Sequence, residues 1–216
     1  MVLTVKEQLS ADGYSVIANL LSEEDLAEVT SATQEMITQW QTGEIQDEDF
    51  RAYQSAQVPE PILYRIHNLE KKNPCIERVF EIPALVDLIH AILGDGCGPT
   101  AFALIIKMPY FGGRVPYHSD PIAVEHGTVY NFSIFLDDST VENGCLEVVP
   151  GSHLLPPMAD TFDERPEGAV FLTARAGDVV IHDVRILHGS AFSRSPKLRR
   201  SICVEFQPAH MLEKLA

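Results

Sequence analysis

Residues 129–153 read VYNFSIFLDDSTVENGCLEVVPGSH. A β-favouring run with polar residues at alternate positions is cut by DDSTVENG, resumes as CLEVV, and is cut again by Pro-Gly-Ser. Short runs of this kind between turn-forming residues predict antiparallel strands rather than helices. The same texture continues outward on both sides. TAFALIIKM starts at Thr100, AVFLTA at Ala169, DVVIH at Asp178 and RSICVEF at Arg200, with PYFGGRVP, PGSHLLPP and RAG between runs. Strands at this spacing predict a sandwich, jelly roll or barrel over residues 99–208.

Upstream the pattern changes. LTVKEQLSADG predicts a short helix stopped at Gly13, and YSVIANL a single strand. Ser22 followed by Glu23, Glu24 and Asp25 forms a near capping box with first-turn acids. Leu26, Val29, Thr33, Met36, Ile37 and Trp40 then recur at three- and four-residue steps, predicting an amphipathic helix over 23–40. Pro83 and Gly94 bracket ALVDLIHAIL, a second helix. The expectation is a mostly helical layer over 1–98 and a β core over 99–208. Neither a linker nor a repeat divides them, so 1–216 reads as a single domain.

Charge removes several partners. Sixteen Lys plus Arg face thirty-one Asp plus Glu, a formal charge of −15. So acidic a surface repels phosphate backbones and anionic lipid, which excludes nucleic acid and disfavours acyl-CoA. No apolar run approaches the length of a membrane span, and MVLTVKEQLSADG is no secretory signal, so neither a membrane nor export is expected. Cys75, Cys97, Cys145 and Cys203 are widely spaced and never form CxxC, which excludes zinc-knuckle and thioredoxin-type motifs. Reduced thiols in a cytoplasmic protein fit best.

The chemistry centres on His118-Ser119-Asp120, inside YHSDPIAVEHG at 117–127. Positions i and i+2 of a strand share a face, so His-x-Asp can aim an imidazole and a carboxylate at one point. Alone, such a pair reads equally as a polar turn. The third ligand would be His188, in the turn-prone ILHGS after DVVIH. Two imidazoles and a carboxylate with open positions form the arrangement suited to non-haem iron(II).

Four pieces in order decide between those readings: YHSD; FLDDSTVENGCLEVVPGSH; AGDVVIHDVRILHGS; and Arg199, eleven residues after His188. Together with the opening ADGYSVIANLLSEEDL, they resemble the phytanoyl-CoA dioxygenase family of Fe(II)- and 2-oxoglutarate-dependent oxygenases. The resemblance implies a mainly β fold with flanking helices, a double-stranded β-helix (jelly-roll, cupin-like) core. It implies His118, Asp120 and His188 as ligands of Fe(2+), and Arg199 as the clamp on the distal carboxylate of 2-oxoglutarate. The guanidinium fork suits bidentate carboxylate binding. In a strand only one of Arg199 and Arg200 faces inward, so Arg200 is expected as a surface charge. Ser190 matches a position bonding the same carboxylate, and Ser133 one touching the cosubstrate. Asn131 shares that face, and the two could instead be a hydrogen-bonded polar pair. Arg65 aligns loosely with a basic cosubstrate contact; Lys107 is a weaker candidate, since strand-end lysines are usually solvated.

The implied activity is a dioxygenase that uses O2 and 2-oxoglutarate to hydroxylate a small organic metabolite, releasing succinate and CO2. Asp120 fills the place that related halogenases leave free for chloride. A cupin-like metalloenzyme without 2-oxoglutarate, or a non-catalytic β-fold binding protein, are the alternatives, and neither gives Arg199 work. His182 stands where the family often has an apolar aromatic, so it is expected to touch the pocket without ligating; His126, with Glu125, is a rival ligand. His153 belongs to a structural turn. Loops 41–62, 109–117 and 156–168 are expected as the substrate rim, with Tyr53, Tyr64, Phe111, Arg114, Tyr117 and Arg185. The short loops predict an open pocket or one completed by a second subunit of a homodimer.

Overall fold

The computed structural model describes residues 2–120, 128–156 and 160–212. The elements run α1 (Val2–Ala11), β1 (Tyr14–Ile17), α2 (Glu23–Gln41), β2 (Phe50–Tyr53), β3 (Ile62–His67), α3 (Pro74–Arg78), α4 (Pro83–Leu93), β4 (Gly98–Lys107), β5 (Val115–His118), β6 (Tyr130–Phe135), β7 (Leu146–Val148), β8 (Val170–Leu172), β9 (Val179–Asp183), β10 (His188–Ser190), β11 (Arg199–Gln207) and α5 (Ala209–Leu212). They build a seven-stranded sheet, β1-β9-β6-β11-β4-β3-β2, and a four-stranded sheet, β5-β10-β7-β8. Among the described residues every strand pairing is antiparallel. This is the jelly-roll plan that the resemblance implied, and one of those the β runs allowed.

Alternation along the large sheet separates two environments. Leu104 and Ile106, Phe132 and Ile134, Val179 and Ile181, Ile202 and Val204 form one apolar cluster with Val5, Leu9, Val29, Met36, Ile37, Leu85 and Ile89 of the helices. The opposite face, with Ser133, His182, Arg199, Ser201, Cys203 and Glu205, lines a cavity shared with the small sheet. Phe135, Val148, Leu172, Val180 and Ile186 seal the sheets against each other.

The helices start and stop for local reasons. Ser22 caps α2 by accepting a hydrogen bond from the Asp25 amide at 3.1 Å. Pro83 opens α4, and Gly94 ends it at a φ of 86°. The turn PGSH is structural. Gly151 sits at a φ of 76°. Ser152 Oγ donates to the Val149 carbonyl and accepts from the Leu187 amide at 2.8 Å. His153 is buried against Gly13, with Nε2 at 3.3 Å from the Ser10 carbonyl.

Three expectations need correcting. The segment 1–98 is more than a helical layer: β2, which falls inside the expected rim loop 41–62, and β3 extend the edge of the large sheet. Arg200 is no surface charge. It is buried behind β11, where Nε and Nη2 donate to the two Asp137 carboxylate oxygens at 2.8 and 2.9 Å. Its Nη1 reaches α2, donating to the Thr30 carbonyl and Thr33 Oγ1 at 3.0 and 3.1 Å. Lys107 is likewise not solvated, being 2 % exposed. The loops holding Gly113 and Ala191 fold over it, and its ammonium donates to both carbonyls. Burial, with Arg199 nearby, brings its pKa down to about 7.

Candidate metal centre

β5 ends at His118 and β10 begins at His188, and the two residues are register partners across the small sheet. Asp120 follows two residues after His118, its amide bonded to the Val184 carbonyl at 2.9 Å. One ligand atom each from His118, Asp120 and His188 can be chosen so that all lie within 4.8 Å of one another. The His118 and His188 ring centroids are 4.3 Å apart, and His118 Nε2 is 3.4 Å from Asp120 Oδ1.

Both rings are fixed in the same way. His118 Nδ1 lies 2.8 Å from the Pro116 carbonyl, and His188 Nδ1 lies 3.0 Å from the Ile186 carbonyl. A carbonyl at that nitrogen selects the Nδ1–H tautomer, leaving Nε2 as a bare lone-pair donor; metal-ligating histidines are oriented by such partners.

For His188 and Asp120, electrostatics favours the ligating protonation states. Burial lowers the His188 pKa, with His118 acting the same way and Asp120 opposing, and favours the neutral ring. Burial works to raise the Asp120 pKa, but the hydrogen bond to His118 and the surrounding imidazoles outweigh it and bring it down to about 2. The Asp120 hydrogen bond raises the His118 pKa. Two imidazole nitrogens and one carboxylate on one face, with the remaining directions open to the cavity, match the donor set that suits ferrous iron.

The cavity, about 160 Å³, also holds Arg65, Asn131, Ser133, Phe135, Ser190 and Arg199. His118, Asp120, His188, Arg199, Ser190, Ser133, Asn131 and Arg65 therefore reach one space, whereas Lys107, the weaker cosubstrate candidate, does not line it. Arg199 is its most informative member. It is 5 % exposed, yet it has no carboxylate partner among the described residues. Nη1 and Nη2 make only long bonds, 3.3 Å to the Gly144 carbonyl and 3.4 Å to Ser201 Oγ, and Nε has none. The guanidinium lies 5.3 Å from the Phe135 ring centroid. Burial lowers its pKa. A buried cation without an anion is costly, so the site fits an anionic ligand. Asn131 and Ser133 satisfy both readings offered for them: Ser133 Oγ donates to Asn131 Oδ1 at 3.1 Å while both line the wall.

His182 touches the pocket without joining the three-residue group, as expected. Its ring centroid is 4.9 Å from that of His188, and both ring nitrogens are buried without partners. Burial, then His188, brings its pKa down to about 3.

Sequence reading missed Ser201, Cys203 and Glu205, which also line the cavity. Two-residue steps from Arg199 along β11 would have found all three. Glu205 is the most distinctive. Its carboxylate has no partner among the described residues, and burial, then Asp120, raises its pKa, with Arg65 opposing.

The rim divides. Tyr53, Tyr64 and Arg114 line an adjoining cavity of about 420 Å³ that shares Arg65, Ile105 and Val115 with the first. Phe111 supplies its carbonyl to the Tyr53 hydroxyl. Two expectations are corrected. Tyr117 is buried behind the small sheet, donating to Glu147 at 2.7 Å. Arg185 is tied to Asp183 at 2.7 Å and lines neither cavity. His126, Glu125 and part of loop 156–168 lie outside the described residues.

Comparison with known proteins agrees with this geometry. The crystal structure of AviO1 from Streptomyces viridochromogenes Tue57 superposes with a TM-score of 0.85 at 35 % identity, over 96 % of this chain and 95 % of that one. The L-proline trans-4-hydroxylase of Streptomyces griseoviridis is 26 % identical over 85 % of this chain and 63 % of its own length. A Stutzerimonas stutzeri protein named "probable alpha-ketoglutarate-dependent hypophosphite dioxygenase" is 25 % identical over 91 % of this chain and 75 % of its own. The chain thus spans less than two thirds of the proline hydroxylase. No helix among the described residues is long and apolar enough to cross a membrane. The profile of the phytanoyl-CoA dioxygenase (PhyH) family matches residues 9–201, and the chain belongs to that family.

Proposed function

We propose that the protein is an Fe(II)- and 2-oxoglutarate-dependent dioxygenase that hydroxylates a C–H bond of a small organic metabolite. The observation that carries this reading is Arg199: a buried guanidinium lacking an anion, in the same cavity as His118, Asp120 and His188. A cupin-like enzyme without a keto acid, or a binding protein, leaves that charge unanswered. The named activities of the proline hydroxylase and the alpha-ketoglutarate-dependent relative support the same class. The four free thiols support work in a reducing, cytoplasmic setting.

In this reading the Nε2 atoms of His118 and His188 and the Asp120 carboxylate hold the iron. Iron bound there with 2-oxoglutarate would activate O2, the oxidant, so that one oxygen atom would end in succinate, with release of CO2, and the other in the C–OH of the substrate. The chain's work is positional. Asp120 offsets half the charge of the ion. The Pro116 and Ile186 carbonyls hold both imidazoles in the donor tautomer. Arg199 takes the distal carboxylate of the keto acid through a two-pronged charge-assisted bond, and Ser190 adds a hydroxyl from β10. Phe135, Leu146 and Val115 give the cavity apolar surface that excludes bulk water.

The test is succinate formation from 2-oxoglutarate by the iron-loaded protein, in air, with a pooled extract of small metabolites. Wild type should release succinate well above the level of His188→Ala. Equal release from the two proteins would overturn the assignment.

A further inference from the structure

Resting on that reading, the inner face of the large sheet also describes the substrate. Along β11 the residues facing the cavity are Arg199, Ser201, Cys203 and Glu205. Six residues of strand separate the first from the last, about 20 Å at the usual rise. Glu205 shares a register row with Asn131, which pairs in turn with His182, and the His182 ring lies against His188. Glu205 is therefore at the level of the metal ligands. Glu205 thus stands at the opposite end of the cavity face of β11 from Arg199, the residue that holds the distal carboxylate of the keto acid.

Charge balance isolates it further. Asp120 and the two carboxylates of the keto acid together match the two charges of the ion and the one on Arg199. Two charges of the cavity are left, Glu205 and Arg65. They form no ion pair with each other or with any other described residue, and Arg65 Nε is buried without a partner. A carboxylate loses hydration when methylene groups are pressed against it and gains no hydrogen bond in return. The wall beside it is not built for a hydrocarbon either, since Asn131, Ser133 and Cys203 are its neighbours. The net charge of −15 acts in the same direction against a polyphosphate carrier.

We propose that Glu205, flanked by Asn131, orients the substrate by accepting a hydrogen bond from it, and that the substrate is a polar donor-bearing metabolite, an amine or a polyol, rather than the acyl chain for which the family is named. Amine and hydroxyl share the chemistry that a carboxylate recognises, and two variants separate them. Glu205→Gln keeps an acceptor oxygen but loses the charge. Glu205→Leu loses both and leaves an apolar surface of similar size.

The experiment is saturation-transfer NMR on the full chain loaded with zinc(II), a redox-inert substitute for iron, and 2-oxoglutarate. The probes are L-proline, putrescine, myo-inositol, methyl α-glucoside, octanoate and octanoyl-CoA, each at millimolar concentration. At least one amine or polyol should receive saturation from wild type, and neither octanoyl compound should match it. An amine should bind at least tenfold more weakly to Glu205→Gln, whereas a polyol should stay within a few-fold. Both should be lost in Glu205→Leu, and octanoate should gain. The proposal is overturned if an octanoyl compound binds wild type best, if no amine or polyol binds wild type, or if Glu205→Leu leaves their binding unchanged. The signals of 2-oxoglutarate in the same tube report separately on the cosubstrate site. Their loss in Arg199→Met, with Glu205 intact, tests the functional reading and not this one.

Discussion

At the scale of single residues, two buried cations are register partners across β11 and β4, and each makes a checkable demand. Arg199 is held by two long bonds and no anion. Removing a buried charge that lacks its partner relieves the unliganded protein, while the liganded protein loses a charge-assisted clamp. Arg199→Met should therefore raise the melting temperature without ligand by about 2–4 °C, near 1 kcal/mol for a chain of this size. It should also weaken 2-oxoglutarate by about 30-fold or more, the equivalent of about 2 kcal/mol. Thermal melts and calorimetric titration of the metal-loaded protein read the two halves. Lys107 makes a demand on pH. Its folded pKa of about 7 lies below the ordinary 10.5, so between those values the unfolded chain binds more protons than the folded one. Its contribution to stability therefore rises with pH across that window and is flat below it. Arg199, Cys145, Glu147 and Arg114 also act on it, so the comparison must be internal. From pH 7 to 9 the melting temperature of unliganded wild type should climb relative to that of Lys107→Met. Parallel curves would contradict the buried ammonium.

At the scale of elements, β11 shows how one strand serves two purposes. Arg199 and Arg200 are adjacent, and alternation sends one to the cavity and the other to α2. Arg200 fastens the sheet to the helical layer through Asp137, Thr30 and Thr33. Arg200→Ala strands the Asp137 carboxylate, and breaking a buried pair of this kind costs about 3 kcal/mol or more. The expected outcome is a fall in melting temperature of roughly 6–12 °C with 2-oxoglutarate affinity unchanged. A coupled loss of affinity would show that the two faces are not independent. The same strand explains what the sequence made legible. Alternation required that one of the two arginines face inward, and the eleven-residue offset from His188 in the family resemblance selected Arg199; neither could say that the outward side was covered by α2, so Arg200 was expected at the surface. Lys107 failed for the same reason: a strand end looks solvated until the distant Ala191 segment folds over it. The strands β2, β5 and β10 are only three or four residues long, and their edges are set by pairing rather than by local preference. His188 illustrates this, since ILHGS reads as a turn and becomes a strand only against β5 and β7.

At the scale of the molecule, two sheets and a helical cover carry side chains from positions 65 to 205 into one cavity. The β alternation and its turns announced a sandwich, jelly roll or barrel, and the resemblance of HSD, NGCL, PGSH and HGS selected the jelly roll and ordered its parts. What local pattern could not supply was the contribution of the large sheet's inner wall. Glu205 is chemically unremarkable in RSICVEF and gains meaning only when β6 and β9 put Asn131 and His182 beside it. The whole account rests on iron and keto acid meeting at residues that are distant along the chain. The most direct measurement is an anaerobic titration of the protein with Fe(II) and 2-oxoglutarate, watching for the weak visible charge-transfer band of their chelate. Wild type should develop the band, and Asp120→Ala and His188→Ala should not. No band in wild type, or an undiminished band in both variants, would contradict the account.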